Sequence, residues 1–259
     1  MSYPNLITEV NDGFVGMITL NRPDQLNTFN SPMAGELTQA LQEMDDDPKV
    51  RVLLLKGAGR AFCAGIDVNE LEGKSAMEYR AWIEHMERPL MTISKMKKPV
   101  IAQVQGVAAA NGMGLVAAAD LAIAAENTKM GLTAINVGLN CVGPVLPVAR
   151  CVGRKKALEL LFYGDLIMAP EAHSLGLLNR IVPKESLAAE AAAWAAALAE
   201  KSPIALQIAK QAYYSSEDMD YARQFELMNE AFARLCTTRD AKEGVQAFFE
   251  RRNPVWEEC

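Results

Sequence analysis

Two stretches of this sequence follow one plan, in which an apolar run ends in a glycine turn and the start of a helix follows. The first covers residues 51–67 and the second covers residues 99–120. Each predicts a strand–turn–helix corner that presents a backbone N–H at a glycine-rich bend. Two such N–H groups that point at one place form an oxyanion hole. The alternative is that Gly65, Gly106, Gly112 and Gly114 serve only tight turns and close packing, and the pattern alone leaves both open.

Length and composition favour a protein with a sizeable hydrophobic core, and the net charge disfavours nucleic acid as its partner. The chain has 259 residues, of which 50% are hydrophobic and 7% are aromatic. This length suits one large domain, or one domain with a small appendage. The net charge of −6 disfavours nucleic acid as the main partner, because nucleic-acid binding relies on basic surfaces.

The cysteines and the N-terminus predict a cytoplasmic location. Five cysteines are scattered along the chain without paired or metal-type spacing. This pattern is typical of reduced thiols in a reducing compartment, and it predicts no metal site. The first residues contain no basic region followed by an apolar run, so we expect no signal peptide.

One long uncharged segment, residues 100–119, resembles a membrane span at first sight. It is interrupted by Gln103, Gln105, Asn111 and three glycines, and Asp120 follows it. Polar groups and glycines at these positions favour a buried strand, a turn and a helix instead. The sequence therefore predicts no membrane partner.

Strands alternate with helices up to about residue 182, and helices alone follow, which predicts an α/β fold with a helical C-terminal region. We therefore divide the chain into a core domain, residues 1–183, and a helical region, residues 184–259. Two local signals are specific. Ser31 followed by Pro32 predicts a helix N-cap, and Asp67 with Glu70 predicts a capping box.

Several motifs resemble the enoyl-CoA hydratase/isomerase (crotonase) superfamily, and they occur in order along essentially the whole chain. The motifs are LNRP at 20–23, AFCAGID at 61–67, KKPVIA at 97–102 with Gly106, GRKKALE at 153–159, Ala172 with Gly176-Leu177, and EGVQAFFERR at 243–252. The resemblance implies a crotonase-like spiral of ββα turns in residues 1–183 and a trimerisation region in 184–259. It also implies trimers or dimers of trimers, and an acyl-CoA thioester as ligand. Coenzyme A would enter as part of the substrate, with no covalently bound cofactor.

The resemblance also assigns the site. The backbone N–H groups of Ala64 and Asn111 would form the oxyanion hole; the family pattern has glycine at position 111, and the Asn side chain would add a polar group to the pocket. Phe248 and Arg251, from a neighbouring subunit, would meet the adenine and phosphate end. The expected substrate-binding residues are Gln25, Leu26, Ile66, Asp67, Val68, Gly112, Gly114, Ala134, Phe248 and Arg251. Asp67 has an alternative role as a helix cap, and Arg251 as a solvated charge.

The family's acid–base pair has no counterpart in this register. Where the resemblance implies two glutamates, the chain has Gly114 and Ala134, and no acidic residue lies between Ala102 and Asp120 or between Lys129 and Pro147. Hydration by the two-carboxylate route and isomerisation by a glutamate at these positions are therefore both disfavoured.

Two other side chains are candidates for the missing chemistry. Cys141 precedes a predicted helix, where a thiol can have a lowered pKa, although buried cysteine commonly acts as a small hydrophobe. His85 follows the first corner, and its alternative is a surface or capping role among Glu84, Glu87 and Arg88. The leading hypothesis is an enzyme that stabilises a thioester oxyanion or enolate. The alternatives are an acyl-CoA decarboxylase, a thioester hydrolase and a non-catalytic acyl-CoA-binding protein.

Overall fold

The computed structural model describes residues 3–257, and within that range the chain forms nine strands and ten α-helices. The strands are β1 (Leu6–Val10), β2 (Val15–Leu20), β3 (Val52–Gly57), β4 (Val100–Val104), β5 (Val107–Ala109), β6 (Leu121–Ala125), β7 (Lys129–Gly131), β8 (Ile167–Met168) and β9 (Arg180–Val182). The helices are α1 (Ser31–Asp46), α2 (Ala76–Lys95), α3 (Asn111–Ala118), α4 (Val145–Val152), α5 (Arg154–Tyr163), α6 (Ala169–Ser174), α7 (Leu187–Ala199), α8 (Pro203–Ser216), α9 (Tyr221–Cys236) and α10 (Arg239–Glu250).

A six-stranded sheet carries the core, in the order β1-β2-β3-β4-β6-β9. β1 runs antiparallel to β2 through the predicted hairpin, and all other neighbours are parallel. Strand β3 is buried on both faces, as its continuous apolar run predicts. Its Leu53 and Leu55 enter the larger hydrophobic cluster, with α1, α2 and α3, while Val52 and Leu54 enter a second cluster on the opposite face.

Helix α7 covers that opposite face of the sheet. Its buried residues Leu187, Ala191, Ala195 and Ala199 recur every four positions, so one stripe of the helix meets the strands. Small alanines let the helix lie close to the sheet. Although α7 falls in the region 184–259 that the sequence separates from the core, it is packed as part of the core; the division itself stays a prediction.

The segment 100–119 folds as predicted, into β4, β5 and the short buried helix α3. Strand β5 leaves the main sheet and joins a three-stranded sheet in the order β5-β7-β8. The chain therefore turns between two sheets immediately before α3 begins. In the part of the chain that the structure describes, no helix combines the length and apolar character needed to cross a membrane.

Two predicted caps differ from the structure. Asn30, not Ser31, is the N-cap of α1, and its side chain accepts a hydrogen bond from Met33 N at 3.0 Å. Asp67 does cap a short 3₁₀ helix, by accepting from Asn69 N. Glu70, however, forms no box with Asp67, because its carboxylate accepts from the N–H and hydroxyl of Ser31 instead.

A buried ion pair ties α8 to the sheet. Lys210 Nζ lies 2.6 Å from Asp120 Oδ2 and donates to the Lys98 carbonyl at 2.9 Å. Asp120 also accepts from Val100 N at 2.7 Å and from the Tyr214 hydroxyl at 3.0 Å. Burial and the Asp120 carboxylate raise the pKa of Tyr214, so the phenol stays protonated. The carboxylate thus joins the start of β4 to two residues of α8.

We expect Lys210→Met to lower the free energy of unfolding by about 3–5 kcal/mol, because it leaves the Asp120 charge buried without its cation. The matched control is Arg80→Met, which removes an exposed ion pair with Glu84 on α2 and should cost no more than about 0.5 kcal/mol. Urea unfolding measures both. Equal losses in the two variants would contradict the structural role of the buried pair.

Candidate active site

The two glycine corners are in direct contact. Cys63 and Ala108 form an isolated parallel bridge, and Ala109 N donates to the Cys63 carbonyl at 2.9 Å. A Cβ placed on Gly65 would lie 3.2 Å from the Cβ of Ala110. Since Gly65 belongs to the first corner and Ala110 to the second, the predicted convergence of the two bends is present in the fold.

Close approach at this contact requires glycine at position 112. A Cβ there would lie 2.1 Å from the Cys63 carbonyl oxygen, well inside contact distance. Two residues earlier, at the N-cap of α3, Ala110 has φ +48° and ψ −116°, a conformation that side-chain-bearing residues rarely adopt. Backbone strain of this kind tends to occur at functional sites, and here it directs the chain into the first turn of α3.

The first corner has a different free donor from the predicted one. Ala64 N donates to the Leu26 carbonyl at 3.0 Å, so its N–H is already occupied. Asp67 N donates to the Phe29 carbonyl at 2.7 Å, whereas the Ile66 N–H has no acceptor within residues 3–257. Gly65 has φ +111°, which turns the chain between these bonds. The sequence pattern located the corner, but the predicted donor, the Ala64 N–H, is occupied, and the unoccupied N–H of this corner belongs to Ile66.

On the second corner, the Asn111 N–H has no acceptor among the described residues, and its predicted role as an oxyanion donor stays a prediction. Asn111 is the first residue of α3, and the N–H groups of a first helical turn have no partner inside the helix. The helix dipole adds partial positive charge at this end. The Asn111 side chain does not enter the pocket as expected; its Nδ2 faces the Met86 carbonyl of α2 at 3.4 Å.

The loop before α1 supports the first corner through a residue that the sequence interpretation missed. Asn27 is fully buried, and its amide donates to the carbonyls of Ala58 and Ala61, each at 2.9 Å. Its Oδ1 accepts from Arg22 N at 2.8 Å. Leu26, beside it, has φ +52°, and this bend aims its carbonyl at Ala64. The only signal for this role in the sequence was an asparagine within a turn segment.

Three of the predicted CoA-contacting residues lie on the rim beside this loop. Gln25 and Val68 are exposed, and Asp67 is half-buried. Burial acts to raise the pKa of Asp67, but hydrogen bonds from Arg22 and Asn69 outweigh it and hold that pKa below its usual value. The Arg22 Nη2 to Asp67 Oδ2 distance is 3.0 Å. Asp67 is therefore an ionised structural carboxylate, and its contact with a ligand stays a prediction.

There is little room for a larger side chain at position 114, the first of the two positions where the resemblance implies a glutamate. A Cβ on Gly114 would lie 2.9 Å from Pro144 Cβ and 3.0 Å from Leu90 Cδ2. Ala134 lies in a 3₁₀ helix, Thr133–Val137, and its carbonyl accepts from Leu139 N. Leu90 and Pro144 thus fill the space in front of the first helical turn of α3.

Cys141 lacks the features of an activated thiol. It is buried, and burial raises the pKa of the Cys141 thiol, with a backbone hydrogen bond at Ala134 opposing the shift. Burial likewise raises the pKa of Cys63 to about 12. The expected lowering of the Cys141 pKa is therefore wrong, since desolvation outweighs the nearby helix end. Its role in catalysis stays a prediction.

His85 faces α1. Its Nε2 lies 2.7 Å from the Ser31 carbonyl, and a Cβ on Gly35 would lie 3.3 Å from the imidazole ring. These contacts place His85 against α1 instead of in a surface or capping role among Glu84, Glu87 and Arg88, and its role in catalysis stays a prediction. Phe248 on α10 and Arg251, the residue that caps the C-terminal end of that helix, are both exposed. Their placement by a neighbouring subunit stays a prediction.

A cleft with a volume of about 1250 Å³ opens along α2, α3, α4, α8 and α9. Glu87, Leu90 and Gly143 line it, but neither Ile66 nor Asn111 does. Leu90, which packs against Gly114 in the first turn of α3, is thus a shared contact between this cleft and that helix. Within residues 3–257, no three His, Cys, Asp or Glu side chains are grouped to hold a metal ion.

Comparison with known proteins identifies the fold. The sequence profile of the enoyl-CoA hydratase/isomerase family matches residues 11–259. The chain belongs to this family. Its members act on acyl-CoA thioesters, and the α/β spiral with a helical C-terminal region is the crotonase fold that the sequence predicted.

Individual relatives cover nearly the whole chain. A putative enoyl-CoA hydratase of Thermus thermophilus is 36% identical over 252 residues, 96% of this chain and 99% of that protein. A crotonyl-CoA hydratase of Syntrophomonas wolfei is 34% identical and covers 97% of each chain. The crystal structure of an enoyl-CoA hydratase from Mycobacterium smegmatis has a TM-score of 0.94 at 34% identity, covering 98% of this family member and 99% of that chain.

Replacing one backbone N–H by an ester oxygen distinguishes the two possible donors of the first corner. At position 66 we expect kcat for the processed thioester to fall by about 10²–10³-fold, the usual cost of one oxyanion donor. The same replacement at position 64 should leave kcat unchanged and lower the free energy of unfolding by about 1 kcal/mol, since it removes the bond to Leu26 and leaves the Ile66 N–H in place.

The two ester variants are matched, because each also weakens one carbonyl acceptor of the corner: Gly65 in the first and Cys63 in the second. Single-turnover kinetics and urea unfolding provide the measurements. A loss of kcat at position 64 with none at position 66 would restore Ala64 as the donor.

Proposed function

We propose that this protein is an acyl-CoA enzyme that stabilises a thioester oxyanion or enolate between the Ile66 and Asn111 N–H groups. The observation that carries the proposal is a pair of unoccupied backbone donors on two contacting corners, one of them at a helix N-terminus. Donors held by a rigid backbone need no reorganisation as charge develops on the thioester oxygen. Both enolate formation and tetrahedral addition place charge there.

The free energy that two such donors supply is sufficient for a substantial rate enhancement. One backbone or amide donor to an oxyanion is worth about 3–4 kcal/mol in measured cases. The pair therefore lowers the barrier to any reaction whose transition state carries charge on the thioester oxygen. What the pair does not supply is proton transfer. With Gly114 and Ala134 at the positions where the resemblance implies glutamates, that function must come from another group.

The surroundings support an acyl-CoA ligand and a self-assembled protein. Gln25, Asp67 and Val68 form an accessible rim next to the donors.

Helix α9 has no buried residue, and its Phe225 and Phe232 are exposed. Apolar side chains of this kind favour burial against further copies, so we propose a trimer or a dimer of trimers. The four described cysteines are all free, which supports a reducing compartment such as the cytoplasm.

A panel of thioesters tests the function. The purified protein is incubated with crotonyl-, but-3-enoyl-, 3-hydroxybutyryl-, malonyl- and benzoyl-CoA, with products followed by mass and binding by calorimetry. Turnover of at least one thioester is expected, with hydration, isomerisation, decarboxylation and hydrolysis separated by product mass or retention time. Binding without turnover of any member would favour the non-catalytic acyl-CoA-binding alternative. No binding of any member would overturn both.

A further inference from the structure

One buried carboxylate oxygen has no explanation in the packing of the fold. Glu87 Oε1, on α2, is shielded from solvent and has no hydrogen-bond partner within residues 3–257. A buried carboxylate oxygen without a donor costs free energy, so it is rarely retained without a function. The neighbouring residues on α2 fix where this group lies.

Helix α2 runs along the first turn of α3. It contacts that turn at Met86 and at Leu90, and Glu87 lies between these two residues. The Met86 carbonyl faces the Asn111 side chain at 3.4 Å, and Leu90 Cδ2 lies against Gly114. Residues three apart share a helix face, so Glu87 and Leu90 point to the same side. The carboxyl group is thereby held beside the segment that begins with the Asn111 donor.

The facing loop makes room for the carboxylate. A Cβ on Gly143 would lie 1.6 Å from Glu87 Oε1 and 2.5 Å from Oε2, so only glycine is compatible with this side-chain position. Pro144, the next residue, packs against Gly114. Gly143 and Pro144 therefore contact the same α2–α3 junction from the loop side. The carboxyl group also borders the large cleft, which gives a ligand a path to it.

We propose that the Glu87 carboxyl is the proton-transfer group of the acyl-CoA site, supplied by α2 where positions 114 and 134 provide none. The proposal rests on the proposed function, because it needs a thioester bound at the Ile66 and Asn111 donors. It assigns the substrate class as acyl-CoA thioesters with a removable hydrogen on the carbon next to the carbonyl.

The proton transfer is balanced without any co-reactant. The Glu87 carboxylate takes a proton from the carbon next to the thioester carbonyl. The electron pair of that C–H bond forms a C=C bond to the carbonyl carbon, and the C=O π pair moves to oxygen, where the two N–H groups hold the enolate. The electron pair on the enolate oxygen then re-forms the C=O bond, and the carboxylic acid gives its proton back to the α carbon. In a β,γ-unsaturated chain, the C=C pair between the α and carbonyl carbons instead moves to the α–β bond, and the β–γ pair takes the proton at the γ carbon.

The electrostatic environment suits a base of this kind. Burial raises the pKa of Glu87, and no nearby charge is identified as opposing that effect. The charged groups across the cleft are largely satisfied elsewhere: Arg150 pairs with Glu217 and Asp218, and Asp120 pairs with Lys210. Lys95 on α2, and Glu230 and Arg234 on α9, complete the charged lining. A carboxylate with a raised pKa is a stronger base for a weakly acidic C–H.

Deuterium exchange tests the assignment directly. Wild-type protein in D₂O is incubated with butyryl-CoA and but-3-enoyl-CoA, and deuterium at the α carbon is followed by mass spectrometry. We expect exchange with wild type and a loss of at least 100-fold in Glu87→Gln, which keeps shape and volume. Gly143→Ala, which displaces the carboxyl group, should lose exchange as well, while CoA binding measured by calorimetry persists in both.

The matched control is Glu84→Gln, an exposed glutamate one turn earlier on α2, which should exchange at the wild-type rate. Wild-type exchange that is unchanged in Glu87→Gln would overturn the role of Glu87 and leave the proposed function standing. Binding of both thioesters without exchange by wild type would overturn the proton-transfer role, and the proposed function is then judged by the thioester panel.

The pH dependence of stability reports the burial of Glu87 separately from activity. A carboxyl group whose pKa is raised on folding binds more protons in the native state than in the unfolded state, so it lowers stability as pH rises from its unfolded pKa through its folded pKa. Relative to wild type, Glu87→Gln should therefore gain in Tm as pH rises from about 4 to 7. A Tm difference that is flat across this range would show that the carboxyl is solvated.

Discussion

The contact between Gly112 and the Cys63 carbonyl is the constraint on which the site depends. A side chain at position 112 would meet that oxygen at 2.1 Å, so the start of α3 can lie against the first corner only with glycine there. The Cys63–Ala108 bridge and the Ala109 hydrogen bond hold the same junction. Two segments that lie about fifty positions apart in the chain are thus fixed at van der Waals distance.

Hydrogen bonding around this junction decides what the site can do. The loop before α1 takes the N–H groups of Ala64 and Asp67, and the turn at Gly65 leaves the Ile66 N–H unused. On the other corner, the start of a helix leaves the Asn111 N–H unused for a different reason, since first-turn donors have no partner within the helix. The fold thereby satisfies its own backbone and retains two donors where the corners meet.

In the proposed mechanism, proton transfer and oxyanion stabilisation come from different parts of the chain. Leu90 and Pro144 occupy the space in front of Gly114, and the Glu87 carboxylate of α2 lies against the adjoining Gly143. Because the donors are backbone groups, they survive the replacement of side chains around them. An acid–base group is a side chain, so a carboxylate on a neighbouring element can supply it without any change in the two backbone donors.

Much of this was present in the sequence itself. Apolar runs predicted β2, β3, β4 and β6, glycine spacing predicted both corners, and family motifs predicted the crotonase spiral and the Asn111 donor. The choice between Ala64 and Ile66 was decided only by the tertiary structure, because it depends on the Leu26 carbonyl some forty residues away. The same holds for Glu87, which local sequence marks as an ordinary helix-surface residue. Local patterns determine strands and turns, whereas free donors and buried carboxylates are defined by contacts between distant segments.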